Sequence, residues 1–374
     1  MSWFKKARTP IAICVGNRLA LFLLVYLGLV LDGNVDHPLR PFLKNLFLDG
    51  WFRWDSGWYL WIVEQGYKDV PDNVQQPSNF WPLYPMLVRL VQWGVGNPFI
   101  AAFLVSNGAL LCSCVMLYRY LCRRFGEDVA ARSVALLLCY PFSFYFSAMY
   151  TESVFLLGAV GAFYFSQRKR WLLASLCAAM AGATRLVGVM VVIPVALAYA
   201  EQHHWKLKEA RRDIFLLPIG LAGTLGHMLF LHLRFGDWLA FLRSQWVFGW
   251  GDNSTWTRFL LVLDSATSWS RLAAGAFDAI ATINVAFGAL ALLVCLAGIR
   301  RFGVTVAAWG VVTMVISLRI WASSGRYAAV IWPMYLGIAL VTRKRPYLYQ
   351  GIITAFCLLQ GLFAFWFAHG HWVG

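Results

Sequence analysis

Long apolar runs, broken only by short basic clusters, repeat from one end of the sequence to the other. The first run extends from about Pro10 to Leu31 and follows Lys5, Lys6 and Arg8. It has the roughly 20 residues that a helix needs to cross a bilayer, whereas the apolar part of a signal peptide has only about 7–15. With 60% hydrophobic and 13% charged residues, against about 25% charged residues in soluble domains, the chain is not a water-soluble enzyme.

Clusters of Lys and Arg determine the predicted topology. They lie at Lys5–Arg8, Arg119–Arg124, Arg168–Arg170, Lys206–Arg212, Arg300–Arg301 and Arg343–Arg345. Cytoplasmic loops of membrane proteins carry an excess of Lys and Arg, so we place all of these clusters in the cytoplasm. The same bias accounts for the net charge of +15 without any nucleic-acid partner.

The apolar segments between these clusters predict about eleven membrane spans in a single integral domain, 1–374. The spans are about 10–31, 98–118, 131–147, 151–166, 171–184, 187–200, 214–234, 279–299, 302–318, 327–342 and 347–368. One further segment, about 80–96, contains Pro82, Pro85 and Arg89 and is predicted to be a re-entrant or interfacial helix. Two large loops, about 32–79 and 235–278, then lie outside and are predicted to carry the functional site. The first is rich in Trp, which suits a helix in the interface plane.

No disulfide framework or zinc site is predicted. All 8 Cys lie in or at the ends of apolar runs, where small buried residues are expected. The sequence also lacks the phosphate-binding, dinucleotide-binding, metalloprotease and serine-hydrolase motifs.

Charged residues at the outer ends of the predicted helices remain as candidates for chemistry. They are Asp55 and Glu64 in the first outer loop, Glu152 and Arg185 at two helix boundaries, and the pair Arg326–Tyr327 at a third. Each alone is explained by a side chain that reaches the lipid headgroups. Together, on one face of the membrane, they predict a shared pocket. A carboxylate accepts a proton from an alcohol and an arginine binds phosphate through paired hydrogen bonds, so the pocket suits a substrate with hydroxyls and a phosphate.

Several segments, in order along most of the chain, carry a family resemblance. They are Arg53–Tyr67 (RWDSGWYLWIVEQGY), Phe80–Pro85 (FWPLYP), Tyr140–Phe155 (YPFSFYFSAMYTESVF), Ala183–Gly188 (ATRLVG) and Ser324–Tyr327 (SGRY), with Pro333 downstream. Together they resemble the PIG-V family, which comprises GPI mannosyltransferase II and its prokaryotic relatives. The resemblance implies the GT-C fold of multipass glycosyltransferases that use a polyprenyl-phosphate-linked sugar on the outer or lumenal side.

The sequence also departs from the eukaryotic members of that family. They often have His after the W-D-[AS] element, where this chain has Gly57–Trp58, and R-S-N-G where it has Arg185–Gly188. The chain is short as well. These departures favour a prokaryotic relative with an acceptor other than GPI, in the cell membrane with its site facing outside. The alternative location is the endoplasmic reticulum membrane.

The resemblance implies roles for individual residues. Asp55 matches the general base, which activates an acceptor hydroxyl to displace lipid phosphate from the anomeric carbon with inversion. The remaining candidates for substrate contact are Arg53, Arg185 and Arg326 for the phosphate, Glu64 and Glu152 for sugar hydroxyls, and Tyr67, Trp81, Tyr84 and Tyr327 as aromatic contacts. The expected partners are the lipid-linked donor, a lipid or glycan acceptor and membrane lipids, with no nucleic acid. No tightly bound cofactor is expected. A divalent metal need not be required, because lipid phosphate is a stable leaving group, and this point stays open.

Two other functions remain open at this point. A transporter or lipid-sugar flippase would show inverted repeats and polar residues near the bilayer midplane, whereas the charges here cluster at one interface. An oligosaccharide ligase or polymerase differs from a monosaccharide transferase in its donor, and only the PIG-V resemblance separates the two.

Overall fold

The computed structural model describes residues 3–32, 45–68, 76–247, 260, 264, 269–275, 278–317 and 323–374. Within these ranges the chain is helical, without a β-strand. The helices are α1 (Trp3–Asp32), α2 (Leu46–Asp49), α3 (Ser56–Gln65), α4 (Leu83–Val95), α5 (Pro98–Phe125), α6 (Glu127–Cys139), α7 (Glu152–Ser166), α8 (Trp171–Gly182), α9 (Val192–Gln202), α10 (Ala222–Phe235), α11 (Ala240–Val247), α12 (Trp269–Ala273), α13 (Ala279–Ala297), α14 (Ile299–Phe302), α15 (Val304–Ser317), α16 (Ser324–Ala328), α17 (Trp332–Thr342) and α18 (Pro346–Ala368). Short 3₁₀ segments lie at Pro77–Asn79, Ser143–Phe146, Leu186–Val191, Leu207–Glu209 and Arg212–Leu221.

These helices confirm the prediction of an all-α, multi-pass membrane protein. Five described segments are long and apolar enough to cross a bilayer: Ala7–Leu31, Pro98–Phe125, Arg212–Phe235, Ala279–Ala297 and Pro346–Ala368. Shorter apolar helices occupy five more predicted spans, namely Glu152–Ser166, Trp171–Gly182, Leu186–Gln202, Val304–Ser317 and Trp332–Thr342. Helix α6 occupies the predicted span at about 131–147. Each predicted span therefore contains a helix, while the number of actual crossings, about eleven, stays a prediction.

The extra segment at about 80–96 forms α4, which folds back against α5 through a tight turn. Gly96 has a φ of +72°, and Asn97 caps α5 by accepting hydrogen bonds from the backbone of Phe99 and Ile100. The Tyr84 and Ser106 hydroxyls then lie 2.9 Å apart across the hairpin. With 13 residues, α4 is about 20 Å long, shorter than the roughly 30 Å hydrocarbon core. Its length and packing agree with a re-entrant or interfacial helix.

Two pairs of loops that are predicted to share a side of the membrane are in contact. In one pair of loops, Arg124 Nη2 donates to the carbonyl of Phe302 at 3.1 Å, beside the basic pair Arg300–Arg301. In the other, the two predicted outer loops meet where the backbone N–H of Gln76 donates to Ser244 Oγ at 3.3 Å. Which pair of loops faces the cytoplasm stays a prediction.

The chain between α6 and α7 is irregular and yet fully buried. All of residues 140–151 are buried, and only Ser143–Phe146 forms a helical turn. Non-helical backbone inside a membrane protein needs protein groups to satisfy its hydrogen bonds. Arg18 of α1 supplies them, because its guanidinium donates to the carbonyls of Leu138 at 2.9 Å and Ser143 at 3.0 Å. This segment leads directly into Glu152, the first residue of α7.

Candidate active site

Two arginines and two carboxylates from four distant parts of the sequence form one ion-pair cluster. Arg326 donates through Nε to Glu152 Oε1 at 2.6 Å and through Nη1 to Asp55 Oδ2 at 3.3 Å. Arg185 Nη1 donates to the same Glu152 oxygen at 2.9 Å. The structure thus brings Asp55, Glu152, Arg185 and Arg326 together, while their catalytic and binding roles stay predictions.

Glu152 is the centre of this cluster. Its side chain is fully buried at the N-terminus of α7, where the helix dipole favours a negative charge. Burying a carboxylate is costly unless it is paired, and here two arginines compensate it. Its second oxygen, Oε2, is buried without a hydrogen-bond partner among the described residues. An unpaired buried oxygen is an acceptor ready for a ligand hydroxyl.

Arg326 is held between aromatic rings as well as carboxylates. Its guanidinium carbon lies 4.4 Å from the ring centroid of Tyr150 and 4.8 Å from that of Tyr145. Such contacts stabilise a desolvated cation. The Tyr150 hydroxyl also donates to the carbonyl of Arg53 at 3.1 Å and accepts from the backbone N–H of Asp55 at 3.2 Å. The same ring therefore positions both Arg326 and Asp55.

Asp55 precedes α3 but does not cap it, since its side chain makes no capping hydrogen bond. It points instead to Arg326. The chain turns at Trp54, whose φ of +54° is unusual for a bulky residue. Trp54 is fixed by a hydrogen bond from its indole N–H to the carbonyl of His371, at 3.3 Å, and by edge contact with Trp372.

Loss of water around Asp55 raises the pKa of its carboxyl above the ordinary value, and the nearby Arg326 charge only partly offsets this effect. The side chain remains 23% exposed. A raised pKa makes the ionised carboxylate a better proton acceptor, as a general base requires. The position and chemistry of Asp55 therefore suit a base that a substrate can reach.

Arg185 has the most available donors in the cluster. Only its Nη1 has a hydrogen-bond partner among the described residues, and its side chain is 11% exposed. The guanidinium carbon lies 4.7 Å from the ring centroid of Tyr327, so the aromatic ring predicted to contact substrate supports this arginine. The remaining N–H groups of Arg185 are free to bind an anion.

Two predicted contact residues have other surroundings. Arg53 is 1% exposed, and four of its N–H groups donate to Asp49, Phe52 and Ala368, so it braces the loop before Asp55. Glu64 is exposed near the end of α3, nine residues beyond Asp55, which corresponds to about 13 Å along a helix. The structure brings neither side chain into the ion-pair cluster.

The three aromatic residues around α4 also lie outside the cluster. Tyr84 is fully buried against α5, and its hydroxyl meets Ser106. Tyr67 donates to the carbonyl of Phe80 at 2.6 Å, and the ring of Trp81 lies 4.4 Å, centroid to centroid, from the tilted ring of His227 of α10. Tyr67 and Trp81 therefore adjoin a separate region between α3, α4 and α10.

The role of the second outer loop, about 235–278, as a carrier of the site stays a prediction. In its described part, α11 packs Phe241 against Trp81, with ring centroids 5.6 Å apart, and supplies no residue to the ion-pair cluster. Nearly half of the loop, namely 248–259, 261–263, 265–268 and 276–277, lies outside the described residues. The described site comes from the first loop and from the breaks before α7, after α8 and at α16.

The donor set of the cluster does not resemble that of a metal site. Among the described residues, no three His, Cys, Asp or Glu side chains are grouped to hold an ion. Asp55 and Glu152, the two carboxylates present, are bridged by the Arg326 cation. All eight cysteines are free thiols.

Sequence reasoning missed Tyr145, Tyr150 and Arg18. Both tyrosines lie in the predicted span at about 131–147 or directly after it, where they look like ordinary apolar filling. Their hydroxyl groups and their positions shortly before Glu152 could nevertheless have indicated a role at the site. Arg18 stands as the sole charge within the first apolar run, 10–31, and such a residue is by default functional or structural.

Comparison with known proteins identifies the fold class. No family model matches the sequence, and no similarity to a curated protein sequence is found. An oligosaccharyltransferase from Archaeoglobus fulgidus, solved with Zn and sulfate, superposes with a TM-score of 0.50 at 12% identity, covering 94% of this chain and 53% of its own. The same enzyme tethered to an acceptor peptide gives a TM-score of 0.50 at 11% identity, covering 99% and 55%.

A further similar structure is ArnT from Cupriavidus metallidurans bound to undecaprenyl phosphate, with a TM-score of 0.49 at 13% identity, covering 87% of this chain and 60% of its own. The chain thus spans little more than half the length of these proteins. The chain has the fold of the GT-C membrane glycosyltransferases. The resemblance to the PIG-V family in particular stays a prediction.

Proposed function

We propose that this protein is a membrane glycosyltransferase that moves a sugar from a polyprenyl-phosphate-linked donor to a lipid- or glycan-linked acceptor on the extracytoplasmic side. The observation that carries the proposal is the cluster of Asp55, Glu152, Arg185 and Arg326 at the breaks of three helices. It combines a reachable carboxylate of raised pKa with guanidinium groups that suit a phosphate.

The proposed transfer needs only the donor and the acceptor, with no further reactant. The Asp55 carboxylate takes the proton of an acceptor hydroxyl while that oxygen forms a bond to the anomeric carbon of the donor sugar. The bond from the anomeric carbon to the phosphate oxygen breaks, and its electron pair leaves with the lipid phosphate. Attack from the opposite face inverts the anomeric configuration.

The arginines stabilise the charge that develops on the leaving phosphate. Arg185 offers N–H groups that have no partner among the described residues. Arg326 retains three N–H groups beyond its bonds to Glu152 and Asp55. Phosphate binding at Arg326 would draw this cation away from Asp55 and leave the carboxylate free to accept the proton. Glu152 Oε2 would accept a hydroxyl of the donor sugar.

Mannose is the proposed sugar, and this choice rests on the PIG-V resemblance alone. The fold supports only the wider class of membrane glycosyltransferases. A prokaryotic cell membrane is the proposed location on the same grounds.

A donor panel tests the proposal. Purified protein in nanodiscs is incubated with polyprenyl phosphates that carry different labelled hexoses on one lipid, together with candidate acceptors. We expect free polyprenyl phosphate to appear in step with a glycosylated product of inverted configuration. Movement of intact donor between leaflets without bond cleavage would instead indicate a flippase, and cleavage only of oligosaccharide-bearing donors would indicate a ligase.

A further inference from the structure

A second cavity lies apart from the ion-pair cluster, beneath α3 and between α4 and α10. Its volume is about 420 Å³, within the range of small-ligand sites. The residues that matter for its chemistry are Ile62 and Tyr67 of the first loop, Arg89 of α4, and Gly226, His227 and Phe230 of α10. Most of the lining is apolar or aromatic.

His227 is the unusual member of this lining. Its side chain is 2% exposed, and neither ring nitrogen has a hydrogen-bond partner among the described residues. The backbone of Ser78 interacts with the ring electrostatically but does not meet hydrogen-bond geometry. A neutral imidazole has one donor and one acceptor, and leaving both unsatisfied in a buried site is costly. A ligand with polar groups beside His227 would therefore remove this cost.

Aromatic rings lie around the imidazole of His227. The Trp81 ring lies 4.4 Å from the imidazole, and Phe230 lies 5.0 Å from Tyr67, centroid to centroid. A hydrocarbon chain would fill the apolar lining but leave His227 unpaired. A sugar ring satisfies both requirements, because its C–H face packs on aromatic rings while its hydroxyls donate to and accept from the imidazole.

The cavity and the ion-pair cluster lie at different positions along the same helix, α3. Ile62 lines the cavity, and Tyr59, one turn earlier, contacts Tyr150 with a centroid distance of 6.2 Å. Asp55 stands seven residues before Ile62, which corresponds to about 10 Å of helix. One sugar ring cannot occupy the cavity and also present a hydroxyl to Asp55.

We infer that this cavity is a distal subsite for a saccharide acceptor, and that the acceptor carries at least two sugar units. The role as an acceptor site rests on the proposed function. Saccharide binding in the cavity does not depend on that function, and it is measured without any donor.

The experiment uses the full chain in phosphatidylcholine nanodiscs and a photoreactive octyl dihexoside with a diazirine on its outer sugar. We expect the label on peptides of α4 and α10, displaced by unlabelled octyl dihexoside but not by octyl phosphate. Octyl monohexoside should displace it more weakly. Displacement by octyl phosphate as effective as by the dihexoside, or labelling elsewhere, would overturn the inference.

Two variants and a matched control sharpen the result. His227→Phe keeps the ring but removes both nitrogens, so dihexoside affinity should fall about tenfold, whereas a hydrocarbon ligand would bind as well or better. Gly226→Leu fills the cavity without strain, because a Cβ at Gly226 meets nothing within 4 Å, and should abolish labelling. Gly108→Leu places the same side chain in similar open space on α5 and should leave labelling unchanged.

Each result then decides a separate claim. Unchanged affinity in a folded His227→Phe overturns the saccharide assignment, and if that variant does not fold, unchanged labelling of Gly226→Leu overturns it instead. Labelling without any sugar transfer from the donor panel would refute the proposed function and retain the saccharide subsite. Where transfer occurs, equal use of mono- and dihexoside acceptors would overturn the claim on acceptor length.

Discussion

Asp55 combines features that conflict in an ordinary surface residue. It is desolvated enough for the pKa of its carboxyl to rise, yet it is 23% exposed and paired with Arg326. Sequence reasoning located Asp55, Glu152, Arg185 and Arg326 because charges are expensive at membrane depth and stand out in apolar surroundings. It could not predict that Arg326 bridges both carboxylates, since that contact depends on the tertiary arrangement of α3, α7 and α16.

The raised pKa of Asp55 predicts the pH dependence of transfer. The base must be ionised, so the rate should fall as pH drops through a pKa above the ordinary value of about 3.9 for Asp. Arg326 lowers this pKa, so Arg326→Gln should move the acidic limb to higher pH. The pH profile of kcat/KM measures both effects, with thermal unfolding over the same pH range as the stability control. A flat profile for the wild type down to about pH 4 would contradict the assignment.

Arg326→Lys tests the geometry of the guanidinium. Lysine keeps the charge but lacks the planar fork that donates to two acceptors at once. We expect the donor to be used about tenfold to a hundredfold less efficiently, as the loss of a charged hydrogen bond implies. Donor kinetics and thermal unfolding are measured together, with the exposed Arg343→Lys as the matched control. Unchanged donor kinetics would assign phosphate binding to Arg185 alone.

Among the elements, the break between α6 and α7 has the largest consequence for the site. The apolar runs between the basic clusters predict spans at about 131–147 and 151–166, and these segments do contain helices. The irregular, buried conformation of residues 140–151 could not be predicted, because their hydrogen-bond partners include side chains from the distant helices α1, α5 and α18. This segment carries Tyr145 and Tyr150 to Arg326.

Arg18→Gln should destabilise the protein through this break. The substitution removes the cation from the carboxyl end of α6 and takes the Arg18 donor from the carbonyl of Ser143. The carbonyl of Leu138 also loses Arg18 but keeps Ser143 and Gln360 as donors. The expected cost is about 1–3 kcal/mol, as for buried polar groups that lose a partner. Thermal unfolding in nanodiscs measures it, and the exposed Arg343→Gln should unfold like the wild type. An unaltered unfolding midpoint for Arg18→Gln would show that the break is held by other contacts.

For the whole molecule, the apolar runs and basic clusters were sufficient to predict an all-α membrane protein. Hydropathy predicts the overall fold because few backbone structures can satisfy all of their hydrogen bonds inside a bilayer. The same reasoning could not separate the ion-pair cluster from the aromatic cavity, since Asp55, Tyr67 and Trp81 are neighbours in sequence. The structure separates them, because Tyr67 lines the cavity between α4 and α10 whereas Asp55 pairs with Arg326.

Membrane topology follows from the same argument and is directly measurable. Reporters fused after Arg170, Arg212 and Arg345 should be cytoplasmic, because these residues end basic clusters. Cysteines introduced within 235–278 should react with a membrane-impermeant label from outside, while the same label should not reach the cytoplasmic ends. A cytoplasmic 235–278 loop would move the site to the other side of the membrane.

The measurement that bears most directly on the proposed chemistry is single-turnover transfer by Asp55→Asn, with donor binding determined on the same preparation. Asparagine keeps the size of the side chain and its hydrogen bonding but cannot accept the proton. We predict that transfer falls about 10²- to 10⁴-fold while donor binding is retained. The matched control is Asp128→Asn, which alters an exposed ion pair with Arg132 at the other end of the molecule and should transfer normally. Near-normal transfer by Asp55→Asn would contradict the assignment of Asp55 as the base.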